Sequence, residues 1–246
     1  MKKQSNNIFL FILCMGVWMG FYSCTALDDR VYSEIVADKY EYKEGDIVAI
    51  LGKAYQQWQN LASSIWWRSD LWTDQQCLPQ KYWGWGSYNE HIHNFNPESA
   101  GYTNFIIDWN SLYSGISTCN QLFEQLEEGV FSPENKNEMM AELRVIRAAY
   151  YYFLCDLYGN VPIVEKFNVP SDYLPDQSSR LEVYNFIMKE ITESLPFLTD
   201  KADKSAYGRF NKYAAYTLLA KMYINAEVYT GTSRWQECID ACDAVI

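Results

Sequence analysis

The chain has 246 residues, 49% of them hydrophobic and 21% charged, with 31 Asp and Glu against 20 Lys and Arg for a formal net charge of −11. Its apolar content excludes a disordered polypeptide, and its acidity weighs against binding nucleic acid or anionic lipid, both of which need Lys and Arg in excess. The length can bury a substantial core as one domain or two.

At the amino end, Lys2 and Lys3 precede an apolar run from Ile8 to Tyr22 that closes on Ser23-Cys24. A helix that spans a bilayer takes roughly 20 apolar residues, and this run is shorter with basic residues only on its amino side. It therefore reads as a signal peptide over residues 1–23, not as a retained anchor. Ser23 before Cys24 resembles a lipobox, whose cysteine is acylated and becomes the first mature residue, although Phe21 and Tyr22 depart from the usual pattern. Removal of 1–23 takes two lysines and no acids, so the mature net charge becomes −13. Residues 24–45 are expected to form a tether and 46–246 a helical domain.

Asp46 is a plausible N-cap for a first helix, since Ile47, Ile50, Leu51, Ala54, Trp58 and Leu61 follow at helical spacing. Between Trp72 and Asn96 the aromatics Trp72, Tyr82, Trp83, Trp85, Tyr88 and Phe95 lose that spacing and mix with Asp74, Lys81, Asn89 and Glu90. Gly84 and Gly86 beside the tryptophans make the backbone adaptable. Flat indole faces suit the C–H face of a sugar ring, and carboxylate, amide and ammonium groups suit its hydroxyl rim. Trp83 and Trp85 are the stacking candidates, with Tyr82 beside them and Asp74, Lys81 and Asn89 as polar partners. The same aromatics would also serve to staple a long loop onto the helices. His91 and His93 lack a third positioned ligand, so no metal is expected there.

A second helix is predicted from Phe105 to Leu126, with Ile106, Trp109, Tyr113, Ile116, Cys119 and Phe123 on one side and a stop at Gly129. Ser132-Pro133 is expected to open the third, with Pro133 and Glu134 in its first turn. Along it, Leu143, Ile146, Tyr150, Phe153 and Leu157 form one apolar stripe, ended by Gly159 and Pro162. A further pair is predicted over Leu181 to Leu198 and Tyr213 to Tyr229, where alanines permit close helix approach. A last helix starts at Trp235 and reaches Ile246 with no stop signal, as though the domain were cut short. Seven cysteines leave an odd set once Cys14 and Cys24 are set aside, a poor disulfide framework. Cys238 and Cys242 share a helix face, but no other ligand lies near them in sequence.

The order Arg147-Ala-Ala-Tyr-Tyr-Tyr-Phe, followed by Leu157-Tyr-Gly-Asn-Val-Pro, resembles the signature of the SusD/RagB family of lipid-anchored nutrient-binding proteins of the Bacteroidetes outer membrane. The resemblance implies a mostly α fold of tetratricopeptide-like stacked helical hairpins interrupted by long irregular loops, here 75–104 and 162–180. It covers the amino-terminal half of the family's architecture. It further implies a surface lipoprotein that binds a glycan or oligosaccharide and delivers it to a SusC-like TonB-dependent transporter. Asp28 and Asp29 then resemble an acidic export tag, and aromatic contacts are expected in the 72–96 loop. Arg147 falls where the family carries arginine and is assigned to interhelical ion pairing or carbonyl capping, and Tyr150 to Tyr152 to packing. A RagB-like peptide binder and a purely protein-binding scaffold are the alternatives. Serine-elbow, zinc-protease and phosphate-loop motifs are missing and acid pairs are uninformative, so neither enzyme chemistry nor a cofactor is expected.

Overall fold

The computed structural model describes residues 42–71, 73 and 102–246. Helix α1 spans Glu44–Leu71, α2 Tyr102–Glu127 and α3 Lys136–Leu157. A two-residue antiparallel pair, β1 (Val161–Pro162) with β2 (Gln177–Ser178), matches Val161 to Ser178. Then come α4 (Arg180–Ser194), α5 (Lys212–Ile224), α6 (Ala226–Thr230) and α7 (Trp235–Asp243).

Side-chain pairs fix the direction of each helix against the next. Lys53 meets Gln121 and Gln57 meets Thr118 and Ser114, so α1 and α2 run antiparallel. Arg147 meets Asn120 and Arg144 meets Glu193, which orders α2, α3 and α4 in the same alternating way. The expected mostly α stack of helical hairpins is what forms. Its core joins α1, α2, α3 and α4 through Leu51, Leu112, Ile116, Ile146, Leu154 and Ile187, all buried.

Helix α3 is the centre of that core and corrects the expectation of a single stripe. Val145, Ala148, Ala149, Tyr151 and Cys155 are buried as fully as Ile146 and Tyr150. A helix buried on nearly every side is one enclosed by neighbours. Close packing here depends on Gly115 of α2, where an added Cβ would stand 2.2 Å from Cζ of Tyr150. The ring fills the space that a side chain would take, and the Tyr150 hydroxyl donates to the Ala54 carbonyl at 3.1 Å.

Element ends differ from expectation for local reasons. Asp46 lies inside α1, where its carboxylate accepts the Lys43 N–H at 2.9 Å. That is the reaching-back half of a capping box, so the helix starts two residues before the expected cap. Helix α3 begins at Lys136 after Asn135, because the Lys136 N–H bonds the Pro133 carbonyl in a turn of its own. Pro133 and Glu134 therefore precede the helix. The predicted helix from Tyr213 to Tyr229 is divided at Asn225, whose amide donates to the Lys221 carbonyl at 2.9 Å. Helix α4 ends at Ser194, short of Leu198, and starts in a full capping box between Ser179 and Glu182.

Candidate functional site

The predicted ligand contacts Asp74, Lys81, Tyr82, Trp83, Trp85 and Asn89 lie outside the described residues, as do His91, His93, Asp28, Asp29 and the lipid-attachment candidate Cys24. The side chain of Ile106 lies outside them too. What is described is the hairpin from which the aromatic segment departs: α1 ends at Leu71 and α2 begins at Tyr102.

The facing surfaces of that hairpin hold a shallow groove of about 390 Å³ lined by Gln57, Asn60, Leu61, Asn110, Ser111 and Ser114. Five of these six carry a neutral amide or hydroxyl, and none carries a charge. The Gln57 amide is set in place by accepting from Thr118 at 3.0 Å and donating to Ser114 at 3.5 Å. Amides offer donors and acceptors side by side, which suits a partner with many hydroxyls better than an ion. Sequence reasoning missed this groove because its two walls are some fifty residues apart. The only local signal was the spacing of polar residues at three- and four-residue steps along the two helices.

The residues that carried the family resemblance form a junction of backbone contacts. After α3, Gly159 takes φ +78°, and an added Cβ would stand 3.2 Å from Arg180 Nε. Asn160 accepts from the Arg180 N–H at 2.8 Å through its side chain and from Gln177 at 2.9 Å through its carbonyl. Arg180 in turn donates to the Cys155 carbonyl at 3.1 Å, capping the end of α3. Pro162 gives its carbonyl to the Tyr113 hydroxyl at 2.7 Å, and the Tyr151 hydroxyl accepts the Val164 N–H at 2.7 Å. Asn120 holds the Val164 carbonyl at 2.9 Å. Burial pushes the Tyr113, Tyr150 and Tyr151 hydroxyls above their ordinary range, at Tyr151 against the opposing hydrogen bond from the Val164 N–H. They serve as structural hydrogen-bonding groups.

Of the two roles considered for Arg147, the geometry gives ion pairing. Its Nη2 stands 2.6 Å from Glu190 of α4, with the two side chains only 7% and 3% exposed. Nη1 donates to Asn120 at 2.8 Å, and the guanidinium lies 4.7 Å from the Phe123 ring centroid. Arg144 adds a second donor to Glu190 at 2.9 Å. A second buried carboxylate, Glu142, joins α1 to the loop before α5 by accepting from the Tyr55 hydroxyl and from Nε and Nη2 of Arg209. Burial, reinforced by Glu142, drives the Tyr55 hydroxyl upward, and the hydrogen bond to Glu142 raises Arg209. Both carboxylates are committed to structure.

Cys119 and Cys155 are buried free thiols, and Cys238 donates to the Ala220 carbonyl at 3.5 Å beside an exposed Cys242. Among the described residues no group of three His, Cys, Asp or Glu side chains is arranged to hold a metal, and no helix is long and apolar enough to cross a membrane.

Comparison with known proteins agrees with this scaffold. SusD, the starch-binding protein of Bacteroides thetaiotaomicron, is 29% identical over 72% of this chain and 30% of its own length. A laminarin-binding SusD-like protein superposes with a TM-score of 0.67 at 23% identity, over 83% of this chain and 44% of that one. The surface glycan-binding protein A of Bacteroides uniformis gives 0.62 at 22% identity, over 82% and 46%. At these identities the two structures speak to the fold, and the chain spans less than half the length of each relative. A SusD-like family model described as starch-binding and associating with the outer membrane matches residues 29–224, so the chain belongs to the SusD-like family.

Proposed function

We propose that this chain is part of a surface lipoprotein of the outer membrane that binds a glycan or its oligosaccharides and hands them to a SusC-like TonB-dependent transporter. The observation that supports this reading is the uncharged amide and hydroxyl groove on the hairpin from which the aromatic segment departs. Stacking on Trp83 and Trp85, with Tyr82 alongside, would hold the apolar face of a sugar. Asp74, Lys81 and Asn89, together with the groove, would then bond its hydroxyls. Family membership and the starch-binding and laminarin-binding relatives support the same ligand class.

Acylation at Cys24 would place the domain at the membrane on the 24–45 tether. The work is capture and release without bond-making, for which moderate affinity from a few stacked rings is suited. Isothermal titration against a panel of neutral oligosaccharides and a peptide pool tests the reading. Saturable heat with an oligosaccharide, lost in Trp83→Ala/Trp85→Ala, is the expected result. Heat with peptides alone would move the assignment to a peptide-binding member of the family. Release of reducing ends from a polysaccharide would make the protein an enzyme.

A further inference from the structure

Of the described cysteines, Cys119 and Cys155 are sealed in the core, whereas Cys238 is half-buried and Cys242 exposed, both on α7. Side chains four residues apart on a helix share one face, with Cβ atoms about 5–6 Å apart. Cys238 is fixed against α5 by donating to the Ala220 carbonyl at 3.5 Å. Burial, then the Cys242 thiol beside it, pushes the Cys238 thiol up, and the two sulfurs stand within hydrogen-bonding reach of each other.

The spacing decides what such a pair can hold. A disulfide draws its Cβ atoms to about 3.5–4.5 Å, closer than one turn of an intact helix allows, so the helix opposes that bond. A single ion between the sulfurs removes the conflict, since metal bonds near the ~2.3 Å of zinc thiolates let the sulfurs stand up to about 4.6 Å apart. The donor set then selects the ion. Zinc takes four ligands, and among the described residues no third His, Cys, Asp or Glu side chain joins the pair. Thiolates are soft ligands that take Cu(I) in preference to the hard cations bound by oxygen. The rest of the shared face is apolar, for Trp235 and Ile239 precede Cys242 by seven and three residues and are themselves exposed. Around it the charge favours a cation, because Glu237, Asp240 and Asp243 outnumber Arg234, which Glu237 already pairs at 2.8 Å.

We propose that Cys238 and Cys242 form a two-thiolate site for a soft monovalent cation of the Cu(I) type. Binding breaks two S–H bonds, forms two Cu–S bonds and releases two protons to solvent, while copper stays monovalent. The site is separate from the glycan-binding reading and stands whether or not that reading holds.

The test equilibrates the reduced full chain, without oxygen, with Cu(I) held by bicinchoninate, and reads transfer to the protein from the loss of the chelate's colour. Comparing each variant with the unmodified chain subtracts copper held by thiols elsewhere. One equivalent is expected to be lost in Cys238→Ser and equally in Cys242→Ser, each binding at least about tenfold more weakly, since even a supporting group of a metal site is worth that much. Cys77→Ala should keep the equivalent. Cys242→Ser/Asp243→Cys preserves the number of thiols but turns the second sulfur off the shared face, and it should fail to bind. Both positions are exposed, so this variant reads the geometry without touching the core. Cys238→Ala is the second variant should the serine disturb packing at Ala220. No transfer from the chelate, loss in Cys242→Ser alone, loss in Cys77→Ala, or binding retained by the relocated thiol would each overturn the proposal.

Discussion

Glu190 takes hydrogen bonds from two arginines on α3 while itself only 3% exposed, so its worth lies in what its loss would strand. Removing one partner of a buried ion pair leaves an uncompensated charge and typically costs about 3–5 kcal/mol. Glu190→Ala should therefore lower the urea midpoint severely, whereas Glu193→Ala, on the exposed end of the same network, should leave it nearly unchanged. Equal effects of the two would show that the network acts as a surface pair. The buried thiols give a second residue-scale outcome, because burial pushes Cys119 and Cys155 up to about 12 from the ordinary thiol value of 9.0. Between those limits the unfolded chain releases protons that the folded one keeps, so stability falls as pH rises. The contribution is fully present below pH 9 and is lost towards pH 12. Urea midpoints across this window should fall less steeply in Cys119→Ala/Cys155→Ala. At pH near 8, iodoacetamide should label exposed Cys242 and spare both buried thiols, which peptide mass spectrometry reads directly.

Among the elements, α4 owes its start to the Ser179 and Glu182 capping box, in which the Ser179 N–H donates to Glu182 at 2.7 Å and the Glu182 N–H to Ser179 at 3.3 Å. Ser179→Ala should cost about 1 kcal/mol, measured as a shift of the urea midpoint. The Glu182 carboxyl, held below its ordinary range by hydrogen bonds from Ser179, should titrate higher in that variant by NMR. An unmoved titration would mean that the box does not persist in solution. Such ends were partly legible in the sequence. Gly159 and Pro162 do stop α3, and the apolar spacing of Ile47 to Leu61 and of Trp109 to Phe123 does mark α1 and α2. The Ser-x-x-Glu pattern at 179–182 is the local signal that marks the start of α4. Periodicity cannot tell a helix with one buried face from one enclosed by neighbours, which is why α3 looked one-sided. Nor can it see contacts made across sequence distance. Residues 162–180 looked like an irregular excursion, yet Glu124 holds the Phe167 N–H at 2.7 Å and Tyr113, Asn120 and Tyr151 hold its beginning. The polar groove was illegible for the same reason, its walls being drawn from two helices that meet only after folding.

For the whole molecule, charge is the property that separates ligand classes most sharply. The chain carries a net −11, while the groove on the α1–α2 hairpin is lined by amides, hydroxyls and one leucine, with no charged group. Under the proposed reading, a neutral oligosaccharide would draw on stacking by the aromatic segment and on hydrogen bonds in the groove, neither of which is screened by salt. The global field is then a bystander. An anionic glycan of the same backbone would have to approach against that field, at a cost that shrinks as the Debye length falls from about 20 Å at low ionic strength to about 4 Å near 0.5 M. Titrations at about 20 mM and about 500 mM NaCl should therefore give dissociation constants for a neutral oligosaccharide that agree within roughly twofold, because no counterions are exchanged. A sulfated counterpart should bind more weakly at low salt and gain affinity as salt is added. The opposite pattern, tight binding of the sulfated ligand that salt weakens, would require a cationic contact absent from the groove. It would move the centre of recognition onto Lys81 and its neighbours in the aromatic segment.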